Sequence, residues 1–223
     1  YFKGDAHSFF GWYRDSVGAT LRKLRKPIAL LVILAVAGIG IAYVWTVGNL
    51  QIYLDAAKPE QIAELQKQFI QAGDLSGVSA ELTAPSLFLH NLQATLLMGF
   101  FGLFSFGVLG VILYLVNTSV IGGLLGLFQL MGYAPLPLVL AGILPHGIFE
   151  IPALILSCAA VLHSGLVLVT PQAGRTIGEV LIEALADWAR VVVGLVIPLL
   201  AIAAVVESYI TPQLLVNAMA AIK

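Results

Sequence analysis

Polar residues come in blocks along this chain, and long apolar runs separate the blocks. Residues 27–47, "PIALLVILAVAGIGIAYVWTV", are apolar or small throughout. That length matches the ~20 residues a transmembrane helix needs, and Pro27 suits a first helical turn. From Leu87 the chain is nearly continuously apolar, and helices are predicted over 87–116, 118–132 and 138–169. "GYAPLP" separates the last two. A final run, "VVVGLVIPLLAIAAVVESYI" at 191–210, holds Pro198, which is expected to kink it.

Three other segments are amphipathic. In "DAAKPEQIAELQKQFIQAGD", Ile62, Leu65, Phe69 and Ile70 recur at helical spacing, which predicts a short helix within 55–72. In "RTIGEVLIEALADWAR", 175–190, Ile177, Val180, Leu181, Ala184, Leu185 and Trp188 share one face. Glu179, Glu183 and Asp187 share the other. Residues 1–26 combine Phe9, Phe10, Trp12 and Tyr13 with Arg22, Lys23, Arg25 and Lys26, a pattern for a helix at the membrane interface.

The predicted fold is therefore an all-α, polytopic transmembrane helical bundle of about five spans, with amphipathic surface helices. Its parts are a cytoplasmic or interfacial segment at 1–26, a transmembrane domain at 27–212 with an external helix and loop at 48–86, and a C-terminal tail at 213–223.

Composition agrees with that pattern. Hydrophobic residues make up 60% of the 223 and charged residues 10%, against the ~25% charged of soluble domains. The net charge of −1 suggests no nucleic acid as partner. One cysteine, Cys158, excludes an internal disulfide. The run from Pro27 lacks a small-residue cleavage pattern and is read as a retained span. Lys and Arg number six in residues 1–26, but two against five acids in 48–86. The positive-inside rule then sets a multi-pass protein in the cytoplasmic membrane with its N-terminus in the cytoplasm.

One feature breaks the apolar pattern. Between Leu82 and Gly174 the only charged residue is Glu150, in "ILPHGIFEIP". His146 stands four residues earlier, so one helical face presents both. A bare carboxylate at this depth costs several kcal/mol. It has to be neutral, paired, solvated by a cavity or bound to a cation. Pro145 and Pro152 bracket the pair and suggest a broken or kinked helix. A self-satisfied His–Glu hydrogen bond is the plain structural alternative.

Glu207, in "VVESYITP", is the other acid in a hydrophobic span. At 1.5 Å per residue, Asn91, His146 and Glu207 lie ~6 to ~12 Å below the outer boundary, with Glu150 deeper. These four could meet in one polar site. Projected as one straight helix, 87–117 places Asn91, Thr95, Gly99, Gly102, Gly110 and Asn117 on a common arc. That arc is either a packing face or one wall of the site. His146, Glu150 and Glu207 also form a donor set for a divalent metal such as zinc. "GGLLG", 122–126, and the glycines of 99–110 suggest helix contacts between two copies, a homodimer.

These stretches carry a resemblance. "HN" at 90–91, "VNTSVIGGLLG" at 116–126, "PHGIFEIPALIL" at 145–156 and "AAVVESYITP" at 203–212 resemble the stage II sporulation protein M family. HGxxE-x-PA followed by a late E-x-x-x-TP is the specific part. The resemblance implies characteristic polar positions at Asn91, Asn117, His146, Glu150 and Glu207, with Pro212 after the last span. It implies work beside a peptidoglycan-hydrolysing pair in spore formers, and wide occurrence in organisms that do not sporulate.

Three function classes follow. A non-enzymatic scaffold or subunit of a membrane or cell-envelope complex explains 1–26 and 48–86 as docking surfaces, with the lipid bilayer and other membrane proteins as partners. A transport or ion-binding component explains the intramembrane acids. A divalent-metal-dependent membrane enzyme is ranked third, because no HExxH, no GxSxG and no clear nucleophile is present. The scaffold ranks first.

Overall fold

The computed structural model describes residues 6–56, 83–170 and 173–222. Beyond Ala56, the amphipathic helix expected within 55–72 lies outside the described residues. The described elements are α1 (Ala6–Ala56), α2 (Ala84–Phe104), α3 (Val108–Leu130), α4 (Pro135–Gly142), α5 (Leu144–Val169) and α6 (Ile177–Val191). A π-helical turn (Val192–Val196), α7 (Ile197–Tyr209) and α8 (Thr211–Ile222) complete them. No strand occurs among the described residues. Among the described residues, five stretches are long and apolar enough to cross a membrane: Asp15–Asn49, Ala84–Phe104, Val108–Leu130, Leu144–Val169 and Ile177–Tyr209. The chain is an all-α, polytopic membrane protein, as its apolar runs predict.

The partition of those runs differs from the prediction in four places. α1 begins at Ala6 and passes through Pro27 without a break, so 6–26 and the first span form one helix. The single helix expected over 87–116 is two, because the chain reverses at 105–107. The amphipathic helix expected over 175–190 and the last apolar run at 191–210 form one stretch, Ile177–Tyr209, joined through the π turn. Finally, α5 continues through Pro152, and the interruption falls at Ile143, between α4 and α5.

Contacts group the chain into two compact units. The first holds Tyr1–Ile33, Ala94–Tyr114 and Pro152–Leu199. Its core includes Leu24, Leu31, Met98, Tyr114, Val161 and Val196. The 105–107 reversal belongs here. Phe106 and Gly107 both take positive φ, 53° and 96°, and Gly107 N–H donates to Gly102 O at 2.7 Å. That bond, six residues back to one, is the Schellman way of ending a helix. Ser105 Oγ adds a bond to Phe101 O and accepts from Leu109 N, so α3 starts capped. The two arms then close tightly. A methyl on Gly102 would lie 3.1 Å from Gly110 Cα and 2.2 Å from Val161 Cγ1. Small residues permit this backbone approach.

α6 shows why Asp187 departs from its expected solvent face. The helix opens with a capping box, Thr176 and Glu179. Val180, Ala184 and Asp187 are its buried line, while Ile177, Leu181 and Leu185 are exposed. Asp187 is 5% exposed because Lys23 and Arg190 pair with it and Thr20 donates to it. A buried charge persists only when it is paired in this way. Trp188 lies over Gly99, where a methyl would stand 2.5 Å from the indole.

The expected kink at Pro198 takes the form of the π turn just before it. Pro198 has no N–H for the carbonyl of Gly194, four residues earlier. The Tyr13 hydroxyl donates to that carbonyl instead.

The second unit holds Leu34–Gln93, Leu115–Ile151 and Leu200–Lys223. α3 and α1 touch at Gly122, where a methyl would lie 2.0 Å from Ile39 O, and at Gly126, beside Thr46. The Tyr43 hydroxyl donates to Gln129 on the same pair of helices. α3 ends at Gly132, φ 80°, with Tyr133 N–H returning to Phe128 O at 3.0 Å. α4 packs on α8. The glycines at 99, 102, 110, 122 and 126 thus pack within the chain.

Candidate functional site

The site lies in the second unit, on α5, α7 and α8. α5 starts just after Ile143, with Pro145 in its first turn, where a missing N–H is harmless. His146 and Glu150 follow one helical turn apart, so their side chains share a face. Their Nε2 and Oε2 atoms are 4.0 Å apart, and the side chains are 13% and 24% exposed. Pro152 leaves the carbonyl of Ile148 without its helical donor, and the helix nevertheless continues.

α7 delivers Glu207, which is half-buried. One ligand atom from each of His146, Glu150 and Glu207 lies within 4.8 Å of the other two. The chain then turns at Ile210, although Ile210 N–H still reaches Val206 O and Leu214 N–H reaches Ile210 O. This slight irregularity starts α8 at Thr211, followed by Pro212. Thr211 is 7% exposed, and its Oγ1 is 3.2 Å from His146 Nδ1. Each imidazole nitrogen of His146 therefore faces a different partner: Thr211 on one side, Glu150 on the other.

Of the five polar positions, the structure brings three together. Asn91 is half-buried on α2, and no hydrogen bond among the described residues joins it to the other three. Asn117 lies on the exposed face of α3. The reversal at 105–107 separates it from Asn91, so the straight projection of 87–117 does not apply across it. Thr211 was not singled out for the site, since it was visible only as the T of a TP pair.

Chemically, the cluster offers one imidazole nitrogen and two carboxylates in a half-buried setting. It can hold a proton or a cation between the acids. Thr211 adds a hydroxyl beside the imidazole.

The model of the family described as stage II sporulation protein M matches residues 29–212. All of the cluster lies inside that range. The chain is also 33% identical, over 133 residues, to the uncharacterized protein MJ0793 of Methanocaldococcus jannaschii. That alignment covers 58% of this chain and 71% of the archaeal protein. No solved structure matches the chain.

Proposed function

The chain belongs to the stage II sporulation protein M family, and from that premise we propose that it is a subunit of a cell-envelope complex. In this reading it sits in the cytoplasmic membrane with its N-terminus in the cytoplasm. It is a non-enzymatic scaffold whose working part is the intramembrane site of His146, Glu150 and Glu207. The observation that carries the reading is their convergence within 4.8 Å, on helices that hold no other Asp, Glu, Lys or Arg. Ionisable groups at such depth are expensive, so their concentration at one spot points to use. The Lys and Arg excess at the N-terminus supports the orientation, and the five long apolar stretches support the membrane setting.

Two experiments test it. In cells of the source organism, Glu150→Gln is expected to give the deletion phenotype while the protein still inserts and accumulates. Gln keeps the shape and loses the charge, so wild-type behaviour would make the pair a structural hydrogen bond. In proteoliposomes, the chain alone is expected to move neither protons nor divalent cations. A flux that Glu150→Gln abolishes would replace the scaffold by the transport alternative, which the same paired carboxylates favour.

A further inference from the structure

We propose that His146, Glu150 and Glu207 bind one first-row divalent cation of the zinc class, and that Thr211 sets the His146 tautomer that makes this possible. The inference rests on the reading of these residues as the working site, and it names what the site holds.

Three features argue for it. The first is the donor set. Imidazole nitrogen together with carboxylate oxygen suits zinc, cobalt or iron(II), whereas magnesium and calcium take oxygen ligands almost alone. The second is the placement of Thr211. Metal-binding imidazoles nearly always donate their second N–H to an oxygen, which fixes ring orientation and tautomer. Here Thr211 Oγ1 lies 3.2 Å from Nδ1. With the hydrogen on Nδ1, the lone pair of Nε2 faces Glu150, 4.0 Å away. A simple His–Glu hydrogen bond would want the hydrogen on Nε2 and a shorter contact.

The third feature is electrostatic. Two carboxylates this close cannot both stay ionised unless positive charge sits between them; otherwise one takes up a proton. An imidazole neutral in this tautomer supplies no charge, whereas a divalent ion lets both carboxylates stay ionised and ligate. Around zinc, with bonds of ~2.1 Å, tetrahedral ligand atoms stand ~3.4 Å apart. The atoms here are within 4.8 Å of one another. Glu150 and Glu207 therefore swing inward by about 1 Å on binding, a movement that side-chain rotation provides. Three protein ligands leave a fourth position open to water.

The test uses the full chain purified in detergent, stripped with a chelator, reloaded with zinc and dialysed. Elemental analysis is expected to return about one zinc per chain for the wild type and near none for His146→Ala or Glu207→Gln. Thr211→Val should weaken zinc binding ~10- to 100-fold, the usual effect of removing an outer-shell partner, and Thr211→Ser should restore it. Cobalt loading gives a second readout. His146→Cys should bind cobalt with a new thiolate-to-metal charge-transfer band, which separates ligation from a folding defect.

Wild-type metal content no higher than that of His146→Ala overturns the inference. Unchanged affinity in Thr211→Val overturns the role of Thr211. Failure here is distinguishable from failure of the functional reading. A metal-free wild type with an inactive Glu150→Gln strain removes the cation and keeps the working site. A zinc-loaded wild type with a normal Glu150→Gln strain does the reverse.

Discussion

Lys23 Nζ lies 2.7 Å from Asp187 Oδ2, and so ties α1 to α6 across 164 residues of chain. Asp187 is the hub, because Thr20 and Arg190 also reach its carboxylate. Lys23 has a second acid, Glu183, at 3.1 Å.

This asymmetry predicts unequal mutants. Asp187→Ala removes the anion from two cations, and should lower stability by about 3 kcal/mol, the lower end of the range for breaking a buried pair, because both cations are partly exposed. Lys23→Ala leaves Arg190 in place and half of its own cost is screened by exposure, so about 1 kcal/mol is expected. Unfolding titrations in mixed micelles check the order. Equal losses would show that Asp187 is not the shared centre.

Tyr13 and Pro198 should be coupled. Tyr13→Phe leaves the Gly194 carbonyl without the donor that Pro198 cannot supply, at a cost of about 1 kcal/mol. In a Pro198→Ala background the helix regains its own N–H, so the same change should cost much less. A double-mutant cycle measures this. An interaction energy near zero would mean that the hydroxyl does not compensate for the proline.

Neighbouring glycines should behave oppositely. At Gly122 a methyl would meet Ile39 O at 2.0 Å, whereas at Gly123 the nearest atom is Thr46 Oγ1 at 3.8 Å. Gly122→Ala forces α1 and α3 apart and is expected to cost about 1–3 kcal/mol. Gly123→Ala should be neutral or stabilising by up to about 1 kcal/mol, since alanine is the better helix former. Thermal inactivation of the two variants, compared in one detergent, gives the sign of each.

Cysteines at Ser76 and Thr176, in a Cys158→Ser background, test the proposed topology. With five crossings and a cytoplasmic N-terminus, an impermeant maleimide added to intact cells should label position 76 only. Position 176 should react after the membrane is opened. Labelling of both from outside would require a different number of crossings.

Much of this protein is legible without its structure. The apolar runs set the class and number of the spans, because no aqueous fold tolerates them. Helical period alone puts His146 and Glu150 on one face, and Pro145 stands just after the break at Ile143, whereas α5 runs on through Pro152. The reversal at 105–107 was hidden for a physical reason. A turn in water announces itself by polar residues, but "FSFG" lies within a long apolar run, and isolated Ser and Gly are common inside membrane helices. Only the positive φ of Phe106 and Gly107, and the packing of Gly102 on Gly110 and Val161, make it a turn. Asp187 reads as a solvent-facing acid until Lys23, 164 positions away, is brought to it. The same holds at the site. Spacing links His146 to Glu150, whereas Glu207 and Thr211 come from beyond α6. Contacts between residues that distant depend on how helices pack, and periodicity along one helix carries no record of that. The tertiary structure decided which polar residues meet, leaving Asn117 on an exposed face and giving His146 its partner in Thr211.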